Sequence, residues 1–127
     1  MHATERRNFF RLPIDLPVKY SSINTDNMKD PSFNRALMRD LSGNGMRFDT
    51  TELIDTDKKL VVRFSLPYNE KRTTLQNFHL HAQVVRESQS EGDDMFGYGL
   101  QFVNIMPGIQ DRIVKFLFDL QIATREQ

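Results

Sequence analysis

"FGYGLQFVN", residues 96–104, and "PGIQDRIVKFLFDLQ", residues 107–121, lie almost end to end, and the periodicity of the chain changes between them. In the first stretch Phe96, Tyr98, Leu100 and Phe102 occupy alternate positions, the spacing of a strand with one buried face. Gly97 and Gly99 fall on the opposite face, where a missing side chain lets a strand bend at a barrel corner or a bulge. In the second stretch Ile109, Ile113, Phe116, Leu117 and Leu120 recur at i, i+4, i+7, i+8 and i+11, the stripe of an amphipathic helix. The pattern predicts a helix over about 107–123 that caps the mouth of a barrel. Val114, Phe118 and Ile122 widen the stripe beyond what one barrel wall needs. That extra arc suits a second copy of the chain, as in a homodimer, or another partner.

The same period-two alternation runs back through the chain. Ile14, Leu16, Val18 and Tyr20 alternate with Asp15, Pro17 and Lys19. Pro17 has no N–H for a ladder, so an edge position is expected there. A polar, Asn-, Asp- and Pro-rich connection, "SSINTDNMKDPSFN", follows. "RALMRDL" and "GMRFDT" read as a second and third strand joined through "SGNG". "LVVRFSL" puts Leu60, Val62, Phe64 and Leu66 on one face, and "NFHLHAQVVRE" does so with Phe78, Leu80, Ala82 and Val84. Six short strands at this spacing predict a mainly β fold, a six-stranded antiparallel barrel that removes its edges by closure, with a C-terminal helix.

Composition narrows the function classes. The 127 residues suit one domain with a modest core. Seventeen basic side chains balance seventeen acidic ones, so no global field draws the chain to nucleic acid or a membrane surface. Cysteine is absent, which excludes disulfides, thiol catalysis and the sulfur ligands of structural zinc. No stretch approaches the roughly 20 apolar residues of a membrane span, and the N-terminus has no signal-peptide core, so a cytoplasmic location is expected. No Walker loop, G-x-S-x-G, HExxH or Rossmann fingerprint is present, so the chain is not expected to be an enzyme or to carry a cofactor. His79 and His81 share a strand face without a third ligand, so no metal site is expected. Asp93 and Asp94 read as a solvated hairpin loop.

Two clusters carry chemistry. "ERRNFFR" packs Arg6, Arg7 and Arg11 around Phe9 and Phe10. Arg7 and Arg11, four apart, face the same way on a strand or a helix, so both can meet one ligand. The planar arginine fork bonds phosphate or the O6/N7 edge of guanine in bidentate fashion, and its face stacks on a base. In "RDLSGNG", Asp40, Ser42 and Gly45 sit where a strand ends in a glycine turn. A carboxylate accepts from a guanine Watson–Crick edge and a hydroxyl donates to phosphate or to a base carbonyl. Gly45 admits positive φ or close approach of a ligand to the backbone. Local hydrogen bonds of an Asx or Ser turn account for the same three residues. Together the clusters suit a guanine nucleotide.

R-x-x-x-R at Arg7 to Arg11, followed by D-x-S-x-x-G at Asp40, Ser42 and Gly45, resembles the PilZ domain, the bacterial receptor module for cyclic di-GMP. "LPIDLPVKY", "GMRF", "VVRE" and "FGYGLQF" extend the likeness along nearly the whole chain. The resemblance implies a PilZ-like split barrel, residues 13–127, preceded by a mobile ligand-binding segment, residues 1–12. It implies that Arg7 and Arg11 grip phosphates and guanine faces, that Asp40 and Ser42 bind a guanine, and that Gly45 shapes the turn. Arg6, just before the first motif, is similar to the arginine of members that take up a stacked pair of cyclic di-GMP molecules. Without ligand, like charges around Glu5 to Leu12 repel. Ligand is expected to order this segment and relay a signal to a downstream protein, an order–disorder switch. One of Phe9 and Phe10 is expected to pack on the barrel while ligand repositions the other. Arg86 offers a further contact across the wall.

Two other readings compete. One is a ligand-independent interaction module using the broad helix face. The other is a single-stranded nucleic acid binder on a small barrel, disfavoured by neutral charge and the absence of Trp, although ten Phe would allow stacking.

Overall fold

A computed structural model describes residues 9–23, 32–67, 74–90, 92 and 94–125. Strands β1 (Leu12–Ser22), β2 (Asn34–Ser42), β3 (Gly45–Thr50), β4 (Lys59–Pro67), β5 (Leu75–Ser88) and β6 (Phe96–Phe102) precede helix α1 (Pro107–Arg125). Every pairing is antiparallel, and the strands close a barrel in the order β1-β2-β3-β6-β5-β4.

Alternation builds the core as expected. Leu60, Val62, Phe64 and Leu66 of β4 point inward and are buried, as are Phe78, Ala82 and Val84 of β5. Tyr20, Phe48 and Tyr98 form an aromatic chain, with ring centroids 5.1 Å and then 6.4 Å apart. Their polar ends are satisfied: Tyr20 shares a 2.9 Å hydrogen bond with Thr50, and Tyr98 Oη accepts from the Ile54 amide at 2.8 Å. Burial raises the Tyr20 pKa above its ordinary value. Phe96 departs from the expected face. It opens β6, beyond the inner layer, and is 40% exposed.

Pro17 explains itself through register. It pairs with Leu37 of β2, whereas pairing with β4 begins only at Lys19. The strand is therefore an edge where the proline sits and an interior strand beyond it. Three register shifts interrupt the ladders, between Pro13 and Leu16, between Met38 and Asp40, and between Val84 and Arg86. The second makes Arg39 an extra residue: Met38 and Leu41 point inward and are buried, while Arg39 and Asp40 both turn outward. Such bulges bend a strand and re-aim its side chains.

Helix α1 joins the barrel core through Ile113 and Leu117, both fully buried, with Ile109 and Phe116 packed beside them. Phe118 and Ile122, on the arc expected to be surplus, are 52% and 40% exposed. No helix among the described residues is long and apolar enough to cross a membrane.

Candidate functional site

The β2 bulge sets Asp40 on the outer wall beside the start of β1, where its register partner is Pro13. Arg11 stands just before that strand, and its Nη1 donates to Asp40 Oδ1 at 2.6 Å. The other carboxylate oxygen accepts from Arg47 Nε at 3.1 Å. Arg47 Nη1 also reaches the Gln89 carbonyl at 3.4 Å. Asp40 is thus clasped from both sides. Beside it Arg39 donates to the buried Asp49 at 3.0 Å and to the exposed Asp15 at 3.2 Å, a second ionic chain along the same wall.

Arg11 and Asp40 are therefore in direct contact, although they are 29 residues apart. Arg6 and Arg7 lie outside the described residues, as does Asp93; Asp94 is exposed in its loop. Ser42 is buried at the end of β2, against the two-residue turn: its hydroxyl donates to Asn44 Oδ1 at 2.6 Å and accepts from the Asn44 amide at 3.3 Å. The turn itself uses the serine, whose hydroxyl also lies 3.3 Å from the Gly45 carbonyl. Gly45 has no positive φ. The backbone that approaches it belongs to β6, since a Cβ there would collide with the Leu100 carbonyl oxygen.

Phe9 and Phe10 both pack, where only one was expected to. Phe10 rests on the core, and the Phe9 ring lies on Gly43 of the turn, next to Val114 of α1. Gln110 ties the same turn to the helix by donating to the Gly43 carbonyl at 3.0 Å. Aromatic packing and the Arg11–Asp40 ion pair together anchor the segment that carries Arg11.

Arg47 is the residue that sequence reasoning missed. Its signal was its place in "GMRF", between the inward Met46 and Phe48, but nothing local says that it meets Asp40. The row continues past it. Asp40 pairs with Arg47, Arg47 with Gly99, and Gly99 with Arg86, so one outward line crosses β2, β3, β6 and β5.

On the β4–β5 wall, Arg63 donates to His79 Nδ1 at 3.0 Å and lies 4.1 Å from the centre of the Phe33 ring. Burial, then the Arg63 charge and His81, hold the His79 pKa below its usual value. Among the described residues no group of three or more His, Cys, Asp or Glu could hold a metal ion.

The PilZ domain family model matches residues 5–119. The chain belongs to the PilZ domain family. Its barrel superposes on the Bacillus subtilis inhibitor of motility MotI/DgrA with a TM-score of 0.73, at 18% identity over 94% of this chain and 53% of that one. Escherichia coli YcgR in complex with c-di-GMP gives a TM-score of 0.66 at 22% identity, over 95% of this chain and 48% of that one. This PilZ chain therefore spans about half the length of both. The isolated PilZ domain of YcgR with c-di-GMP matches at 0.63 and 21% identity, over 95% of each chain. No curated protein matches the sequence.

Proposed function

We propose that this PilZ domain is a receptor for cyclic di-GMP that orders its N-terminal arginine segment around the ligand and passes the signal to a protein partner. The observation that carries the reading is the Asp40 carboxylate, held on the outer wall between Arg11 and Arg47. A guanine Watson–Crick edge offers two adjacent N–H donors, and a carboxylate accepts both. Arg11 and Arg47 fill that role in the structure. Arg11 is the exchangeable one: its side chain is 36% exposed against 24% for Arg47, and it precedes the strand instead of lying within one. Once a guanine takes the carboxylate, Arg11 is free to fork onto phosphate or the guanine O6/N7 edge.

The spacing of the two motifs supports the reading, as does the YcgR PilZ domain solved with c-di-GMP. Arg7 enters as the second gripping residue, Ser42 and Gly45 as the turn beside Asp40. Arg6 adds the positive charge that a stacked pair of ligands, with four phosphate charges, would need. The messenger is intracellular, so the reading carries a cytoplasmic location with it. Calorimetric titration of the pure chain tests it. Micromolar uptake of two molecules per chain is expected, falling to one in Arg6→Ala. No uptake ends the receptor reading, and one molecule per wild-type chain ends the paired-ligand part alone.

A second reading rests on the exposed Phe118 and Ile122 of α1, which suit a ligand-independent interaction module. It requires partner binding to survive the loss of both Arg7 and Arg11.

A further inference from the structure

The wall built mainly by β1, β4 and β5 carries a charge pattern of its own. Across it Arg35 of β2 pairs with Lys19 of β1, Lys19 with Arg63 of β4, and Arg63 with His79 of β5. All four are exposed, so one outward row holds three full positive charges and an imidazole. Adjacent strands lie about 4.8 Å apart, which makes the row roughly 14 Å long. No carboxylate among the described residues pairs with Lys19, Arg35 or Arg63. On the Asp40 wall, by contrast, Arg11, Arg39 and Arg47 each hold one. Like charges set directly opposite one another on neighbouring strands are destabilising. Folding therefore does not explain the row.

Arg63, at its centre, is fixed in place. Its Nε donates to His79 Nδ1 at 3.0 Å, and its Cζ lies 4.1 Å from the centre of the Phe33 ring. One edge and one face of the guanidinium are thus taken, and the two Nη groups are left for a bidentate acceptor such as a carboxylate.

A groove opens at the His79 end. The Val103 amide donates to the His81 carbonyl at 2.8 Å, which holds the chain just after β6 against β5, and Asn104, at φ 53°, turns it on toward α1. The hollow beside this link measures about 320 Å³ and is lined by Asn77, His79 and His81 of β5 and by Val103, Met106 and Ile109. Met106 is 69% exposed there. Such a volume is at the low end for ligand pockets and has room for a large apolar side chain or two. His79 belongs to both features, so the cationic row leads directly into the groove. Pro17 and Leu37 on one flanking row, and Val61 on the other, interrupt the positive surface that a phosphate backbone would follow. Arginine beside an apolar anchor site is instead the make-up of a protein interface.

We propose that this row and groove form a docking site for an acidic segment of a second protein: its carboxylates lie across Arg63, Lys19 and Arg35, and a large apolar side chain fills the groove between His79 and Met106. Cyclic di-GMP takes no part in this contact, so the site stands or falls apart from the receptor reading.

The test uses the full chain without nucleotide and a synthetic decapeptide of glutamates around a central Leu-Phe pair, titrated at about 0.15 M salt and followed by amide NMR. Shifts should gather on β1, β4, β5 and residues 103–109. Arg63→Glu, with an unchanged melting temperature, should weaken the peptide about tenfold, whereas Lys115→Glu, an equal change of charge on α1, should alter it by less than about twofold. Replacing the Leu-Phe pair by serines should also weaken it about tenfold. No shifts, shifts that gather elsewhere, or wild-type affinity in Arg63→Glu overturn the proposal. A serine peptide as tight as the original overturns it as well, since charge alone would then suffice. Tighter binding of an oligothymidylate of the same length makes the row a nucleic acid surface, and row resonances that move with protein concentration alone assign the wall to a second copy; either result overturns it.

Discussion

The ring of Phe9 rests on Gly43, so closely that a Cβ on the glycine would stand 2.7 Å from Phe9 Cδ1. Val114 Cγ2 is equally close to the same point, which makes the turn between β2 and β3 the meeting place of the N-terminal segment, the barrel and the helix. Gly43→Ala overpacks that junction. Destabilisation of about 1–2 kcal/mol is expected, less than for a fully enclosed core position because the two atoms in the way are the ends of side chains. Thermal unfolding of the variant against wild type checks it.

Gly45→Ala should be far worse. There the obstacle is the Leu100 carbonyl oxygen, part of the β3–β6 ladder, which cannot swing aside. A loss of roughly 3 kcal/mol or more is expected, enough to leave much of a marginally stable domain unfolded. A variant that melts like wild type would contradict the close strand approach at this turn.

Arg11→Ala and Asp40→Ala separate binding from stability. Arg11 is the more exposed partner and Arg47 still holds Asp40 without it, so Arg11→Ala should shift folding stability by no more than about 1 kcal/mol, and Asp40→Ala, which breaks both contacts, by more. Ligand affinity should fall by about 2–4 kcal/mol for Arg11→Ala, which removes a charge-assisted contact set. Asp40→Ala should reduce discrimination for guanine more than affinity for phosphate, measured by comparing cyclic di-GMP with cyclic di-AMP.

His79 makes stability depend on pH. Its folded pKa lies below the ordinary 6.5, because partial burial and then the Arg63 and His81 charges disfavour the imidazolium. The unfolded chain therefore binds the proton first as pH falls. The stabilising contribution is complete above about 6.5 and is lost progressively below it, down through the folded value. Removing Arg63 takes away one cause, so in Arg63→Ala the His79 imidazole should titrate at higher pH in an NMR series. An unchanged midpoint would show that Arg63 does not act on it.

Phe118→Asp tests the surplus arc of α1. The side chain is more than half exposed, so the isolated chain should keep its melting temperature within a few degrees. Association with a second copy or another partner should be lost, as read by light scattering. A variant that associates like wild type would free this face from any role in binding.

What could be read without coordinates followed from periodicity. Alternation named the inward residues of β4 and β5, and the change to helical spacing placed α1 to within two residues of its end. These patterns are legible because burial on one face imposes its period directly on the order of residues. Motif spacing likewise singled out Arg11 and Asp40, which share one ion pair. Phe96 escaped the pattern because alternation cannot say where a strand leaves the inner layer.

The rest depended on register. Bulges at Arg39 and Val85 break the alternation and turn Asp40 and Arg86 outward, and a bulge has no period to announce it. Only closure of the barrel lines up Asp40, Arg47, Gly99 and Arg86, residues from four strands, in one row. The sequence by itself determined which residues face the core and which motifs carry charge, because hydrophobic burial acts on each strand separately. Tertiary structure decided which charges meet, because that depends on how strands distant in the chain are aligned.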